Sequence, residues 1–233
     1  MKQHTCILSP QVTSQLIHEA VGHMAEADFR LACGFQSPFL RLPSMSNKIT
    51  IMDYAHTAFG EACPIPMYFD DEGTPAVDVC IIKKGKMGSC MTNKYTADAL
   101  SIPLTGNARA SQVYNEPIVR MRNTALLPHN DDLAGMIAST NDGYFLEESD
   151  DAFGDVNGDF ACKIKSGYVI KNGELCKPIE KYIVIGKSAE FLASISMVGN
   201  DFKWYLDECS KWQTIKVGQG APSIKAVLKI GVE

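Results

Sequence analysis

From residue 48 onward the sequence is dominated by short runs rich in Val, Ile and Tyr, punctuated by glycine, and this pattern most restricts the fold. The runs cover residues 49–52, 76–83, 86–91, 160–165, 168–171 and 182–185, where β-branched and aromatic side chains suit a pleated, half-buried surface. Lys84-Gly85 joins two of these runs, and Asn172-Gly173 follows Gly167-Tyr-Val-Ile. A two-residue connection ending in glycine selects a tight turn between antiparallel strands. Shorter helices are expected over residues 93–100, 131–139 and 188–195. The expected class is therefore α+β, built on a mostly antiparallel twisted sheet with a few short helices, rather than a doubly wound α/β fold. The acidic stretch Glu147-Glu148-Ser149-Asp150-Asp151 reads as a solvated turn.

Before this β-rich part lies one long helical pattern. Ser9 is placed to cap it and Pro10 suits its first position. Val12, Leu16, Ile17, Ala20, Val21 and Met24 recur at three- and four-residue steps and predict a single helix over residues 10–32, with Gly34 as its C-terminal stop.

Inside that pattern sits His18-Glu19-Ala20-Val21-Gly22-His23. Imidazole is a common zinc ligand, and a carboxylate beside it is placed to take a proton from water activated by a metal. Zinc-peptidase helices usually space their histidines by four, which puts both on one face. A five-residue step on a regular α-helix turns the two side chains about 140° apart. A π-bulge, with i→i+5 winding, brings them back together, and Gly22 stands where the distortion is needed.

Composition removes other function classes. With 22 Lys+Arg against 27 Asp+Glu the formal charge is −5, which offers no electrostatic footprint for nucleic acid or an anionic membrane. The eight cysteines contain no Cys-x-x-Cys pair and read as reduced residues of a cytoplasmic protein. No run reaches the roughly 18 apolar residues of a membrane helix. His56 and His129 are isolated, and Asp155-Val-Asn-Gly-Asp159 reads as a hairpin turn rather than a calcium loop. On its own Cys209 reads as a buried core cysteine.

Leu16-Ile-His-Glu-Ala-Val-Gly-His23, followed by Glu26 and Asp28, resembles the metal helix of the TldD/PmbA family, known as modulators of DNA gyrase and understood as zinc metallopeptidases. The resemblance continues through Tyr68-Phe-Asp-Asp-Glu-Gly-Thr-Pro75, Ser101-Ile-Pro-Leu-Thr-Gly-Asn107, Met121-Arg-Asn-Thr124, Gly158-Asp-Phe160, Gly167-Tyr-Val-Ile-Lys-Asn-Gly173, Val198-Gly-Asn-Asp201 and Val217-Gly-Gln-Gly-Ala-Pro222. It is to the TldD type, because the PmbA (TldE) type lacks His-Glu-x-x-x-His.

The resemblance implies that His18, His23 and Cys209 hold Zn2+ and that Glu19 is the catalytic base. Two imidazoles and one thiolate leave the fourth tetrahedral position open, so the three ligand atoms are expected within about 3–4 Å of one another. The third ligand is expected on a C-terminal loop. Also implied are a substrate of unfolded or disordered peptide and a homo- or heterodimer with a TldE/PmbA-like subunit; an extended peptide is expected to bind by strand addition at a sheet edge, because backbone pairing needs an unfolded segment.

The resemblance implies that residues 1–233 correspond to the family's C-terminal metallopeptidase domain, without its N-terminal domain. Family members are about twice as long, and a fragment, a split gene and a naturally short protein all remain open. Met24 stands where the family commonly has a small residue and is expected to narrow the cleft. The rival reading is a catalytically silent peptide-binding or assembly subunit.

Overall fold

The structure, a computed structural model, describes residues 1–232. The chain opens with β1 (Lys2–Leu8), α1 (Pro10–Ile17), a π-helical turn His18–Gly22, a 3-10 turn His23–Ala25 and α2 (Ala27–Cys33). The next elements are β2 (Ile51–Tyr54), β3 (Thr57–Ala58), β4 (Glu61–Ala62), β5 (Val79–Lys83), β6 (Lys86–Met87) and α3 (Lys94–Leu100). β7 (Ala108–Arg109), β8 (Ile118–Val119), β9 (Asn123–Leu126) and α4 (Leu133–Ala138) lead into the long strands β10 (Asp142–Gly154), β11 (Asp159–Lys171) and β12 (Glu174–Lys187). Last come α5 (Ser188–Ser194), β13 (Met197–Val198), β14 (Lys203–Lys211), β15 (Gln213–Ala221) and β16 (Ile224–Val232).

Two sheets result. In the first, β1, β10, β11, β12 and β16 pair in that order and β16 pairs back onto β1, closing a small barrel, while β13 adds to β16. Closure removes the exposed edges that five open strands would present. The second sheet has the order β14, β15, β9, β2, β5, β6, with β14 at one edge. Both sheets are mixed, because β1–β10 and β15–β9 run parallel whereas the other pairings are antiparallel. The expected tight turns are both present: Lys84-Gly85 and Asn172-Gly173 have positive φ at both positions, and they link β5 to β6 and β11 to β12.

α1 lies between the barrel and the second sheet, against β10 on one side and β15 and β9 on the other. Ser9 accepts the Val12 N–H at 3.3 Å, and Pro10 occupies the first turn. Val12, Leu16, Ile17, Ala20 and Val21 are buried, so the apolar stripe read from the sequence is the core side of the helix.

The expected unbroken helix over residues 10–32 does not form. Helical winding runs from Pro10 to Ala25, and at Glu26 the backbone becomes extended with φ −75° and ψ 121°. Glu26 bridges to Met91: the Met91 N–H donates to Ala25 O and the Ala27 N–H to Met91 O. The buried Glu26 carboxyl group is also drawn inward by Lys211 and His23. These nonlocal bonds outweigh continuation of the local apolar pattern.

The acidic stretch 147–151 is strand rather than turn. It lies within β10, where the pairing with β11 shifts register between Leu146 and Asp151, and Ser149 is buried. Long-range pairing along β11 overrides the local charge pattern. The turn expected over 155–159 does form, with Asp155 Oδ1 accepting the N–H groups of Asn157 and Asp159 at 2.9 Å each.

Candidate metal centre

The π-turn builds the site. The His23 N–H donates to His18 O, an i→i+5 bond that widens the helix by one residue and turns both imidazoles to the same side. Their ring centroids lie 5.1 Å apart at an interplanar angle of 81°. Two glycines make room for this geometry. A Cβ on Gly22 would meet Met121 Sδ at 2.0 Å, and a Cβ on Gly154 of β10 would meet Glu19 O at 2.3 Å. Gly22 therefore suits the close approach of Met121 as well as the bulge, since any side chain there would displace the buried Met121 thioether.

Cys209 arrives from the other sheet. It lies on edge strand β14 rather than on a loop, and its Sγ lies 3.4 Å from His23 Nε2. Ligand atoms of His18, His23 and Cys209 all fall within 4.8 Å of one another. The His23–Cys209 separation of 3.4 Å lies in the expected 3–4 Å range, and the fold brings His18 and Cys209 together across 191 positions of sequence. Glu19 stands between the rings, with its carboxylate oxygens 4.0 Å from His18 Nε2 and 3.7 Å from His23 Nε2. His56 stacks on Tyr68 elsewhere and takes no part.

Burial and charge shape the chemistry. Desolvation would raise the Cys209 pKa, but the two imidazoles outweigh it and hold the thiol down at about 5. Burial raises the pKa of Glu19, and His18 and His23 only partly offset this. For Glu26 burial also acts upward, but Lys211, His23 and Arg120 prevail and hold it at about 2.

Glu26 organises a layer beneath the three residues that local sequence pattern does not reveal. Its Oε2 accepts from His23 Nδ1 and from Lys211 Nζ, each at 3.0 Å, leaving His23 Nε2 toward Cys209. Lys211, only 7% exposed, also donates to Asp28 Oδ2 at 2.7 Å and to Val119 O at 3.0 Å. Fully buried Arg120 donates to Cys209 O at 2.6 Å and to Gln213 O at 2.7 Å, fixing the strand that carries the thiol. The acidic residues 26 and 28 stand in plain view beside the histidines. Nothing local to Lys211 or Arg120 marks them, because their partners lie far away in sequence.

The donor set fits a metal. His18 is 1% exposed, and neither of its ring nitrogens has a hydrogen-bond partner. A buried imidazole without a partner is costly. Two imidazole nitrogens beside a thiolate suit zinc.

Over residues 1–231 the sequence matches the family described as the PmbA/TldA metallopeptidase C-terminal domain. The chain belongs to this family. Among its curated relatives, the zinc metalloprotease TldD homolog of Saccharolobus solfataricus is 32% identical over 237 aligned positions, covering 98% of this chain and 52% of the relative. The metalloprotease TldD homolog of Buchnera aphidicola subsp. Schizaphis graminum is 33% identical over 217, covering 90% and 44%. The chain thus spans about half the length of the curated relatives it matches.

Among solved structures, the Thermotoga maritima protein named as a modulator of a DNA gyrase superposes with a TM-score of 0.78 at 20% identity, covering 99% of this chain and 50% of that one. TldE from Thermococcus kodakarensis gives 0.72 at 17%, covering 96% and 50%. At these identities the likeness is one of fold. Membership makes the chain a metallopeptidase-family domain, and among the described residues no helix is long and apolar enough to cross a membrane.

Proposed function

We propose that this chain is the catalytic half of a cytoplasmic zinc metallopeptidase that hydrolyses unfolded peptides. The observation that carries the reading is His18, buried with both ring nitrogens unpartnered and facing His23 and the Cys209 thiol. His18, His23 and Cys209 would hold the metal. The name of the Saccharolobus relative, a zinc metalloprotease, supports zinc as that metal.

When bound, zinc supplies a Lewis acid that polarises a scissile carbonyl and makes a water molecule more acidic. The chain's own residues perform the remaining steps. Glu19 accepts the proton of the attacking water at its carboxylate and delivers it to the leaving amide nitrogen, and burial, by raising its pKa, makes it a stronger base for the first transfer. Glu26 holds the His23 ring by its Nδ1 proton, and Arg120 holds the backbone of Cys209.

A cleft of about 430 Å³ lies over these groups, lined by Glu19, His23 and Cys209 together with residues 151–154 of β10 and 208–211 of β14. Among the described residues no strand lies on the outer side of β14. That edge supports binding of an extended peptide by strand addition, which needs an unfolded segment and reads little sequence. The structural likeness to TldE, together with exposed apolar side chains such as Val113 and Tyr114, supports pairing with a second copy or a TldE-like subunit.

The deciding experiment measures zinc stoichiometry together with cleavage of a disordered peptide, before and after chelation and zinc return, alone and with a TldE-like partner. One zinc per chain and metal-restored cleavage are expected. Zinc without cleavage in any of these conditions would instead establish the silent-subunit reading.

A further inference from the structure

Beside the cleft a second cavity of about 260 Å³ opens, and the two share His23, Phe29, Phe153 and Gly154 on their walls. The side chains enclosing the rest of it include Met24, Cys33, Pro38 and Val156. One acidic residue lines it, Asp155, and that carboxylate is occupied by the Asn157 and Asp159 amides of its own turn. A charged side chain entering this space would lose water among mostly apolar walls, whereas an apolar one would not.

The inner wall is specific. Met24, 4% exposed, and Pro38 line this cavity and also a separate one of about 340 Å³ whose walls are more polar, including Gln36, Arg41 and Lys187. Met24 and Pro38 are thus the partition between an apolar chamber at the cleft and a polar chamber behind it. Methionine is unbranched and polarizable, so it closes such a gap without a rigid fit.

We propose that the apolar chamber is a substrate subsite that takes a leucine- or phenylalanine-sized side chain next to the scissile bond, with Met24 setting its depth. This rests on the peptidase reading for the words "scissile bond"; the chamber and its preference for apolar side chains do not. Strand addition along β14 reads little sequence, so such a chamber supplies the side-chain selection that backbone pairing lacks.

The test uses six fluorescein-labelled disordered peptides that differ at one residue, Gly, Leu, Phe, Trp, Asp or Lys, titrated by anisotropy against zinc-loaded Glu19→Gln chain. Leu and Phe peptides are expected to bind at least about tenfold tighter than Gly or Asp, the scale on which an apolar pocket discriminates. Val156→Asp places a charge on the chamber wall at a position 42% exposed, where folding tolerates it, and should erase that preference. Met24→Ala should move the preference toward Trp by joining the two chambers. Binding of all six peptides within twofold, or an unchanged preference in Val156→Asp, overturns the proposal. Cleavage by the unsubstituted chain is scored separately: apolar-selective binding without any cleavage keeps the subsite and removes the peptidase reading.

Discussion

His23 Nδ1 lies 3.0 Å from Oε2 of Glu26, and this bond turns the opposite ring nitrogen, Nε2, toward Cys209 Sγ. Glu26 does this from outside the helix, because the chain has just left helical winding at that residue. The same carboxylate oxygen neutralises Lys211. Ring orientation, the placement of a buried cation and the end of the helix are therefore one arrangement.

Glu26→Gln should lower zinc affinity about 10- to 100-fold while leaving the three ligands in place, the usual consequence of removing a carboxylate behind a ligating histidine. Competition with a chromogenic chelator measures it. Unchanged affinity would mean that His23 is oriented by packing alone.

Stability of the metal-free chain should respond to acid through the same residue. Glu26 is held at about 2, well below its ordinary value of 4.5. Its contribution is thus complete above the ordinary carboxylate range and is lost as pH falls from there toward about 2. Urea midpoints at pH 6 and pH 3 should fall further for the unsubstituted chain than for Glu26→Gln. Parallel losses would assign the acid sensitivity elsewhere.

Glu19→Gln should retain zinc and lose about 10²- to 10⁴-fold in peptide cleavage, because the amide cannot accept the proton. Cleavage at a near-normal rate in this variant would remove Glu19 from its assigned role.

Cys209→Ser should release most of the zinc, since a serine hydroxyl does not ionise near neutral pH and provides no thiolate. Cys176→Ser, at an exposed cysteine far from the site in the β11–β12 hairpin, should keep full zinc content by atomic emission. Equal metal content in the two variants would end the three-ligand model.

Gly22→Ala offers a sign test. In an ordinary helix interior the change stabilises by up to about 1 kcal/mol. Here the new methyl group meets the fully buried Met121 side chain at 2.0 Å, so a loss of about 1–3 kcal/mol is expected. Adding Met121→Ala should relieve the clash beyond the simple sum of the two single changes, as a double-mutant cycle reports.

Local signals carry much of the architecture. Asn172-Gly173 and Lys84-Gly85 specify their turns because both positions require positive φ, which few residue pairs adopt cheaply. Asn93 and Ser9 cap their helices as their side chains dictate. Strand β10 is hidden from a local reading, because its acidic residues suit a turn and only the ladder to β11 makes it extended. The stop at Glu26 is hidden for the same kind of reason, since Met91, Lys211 and Arg120 lie far along the chain.

The sequence by itself determined the helix that carries His18, Glu19 and His23, the need for an extra residue in its winding, and the β-rich character of the chain beyond residue 48. All are set by short-range periodicity and backbone preference, which act within a few residues. Only the tertiary structure decided that Cys209 would meet those imidazoles from an edge strand, that a closed barrel would form on the other side of α1, and that Glu26, Arg120 and Lys211 would hold the site from below. Those outcomes depend on packing two sheets around one helix and on pairing buried groups that are distant in sequence. No local pattern encodes them, because the low-dielectric surroundings that make such pairs necessary exist only once the chain has folded.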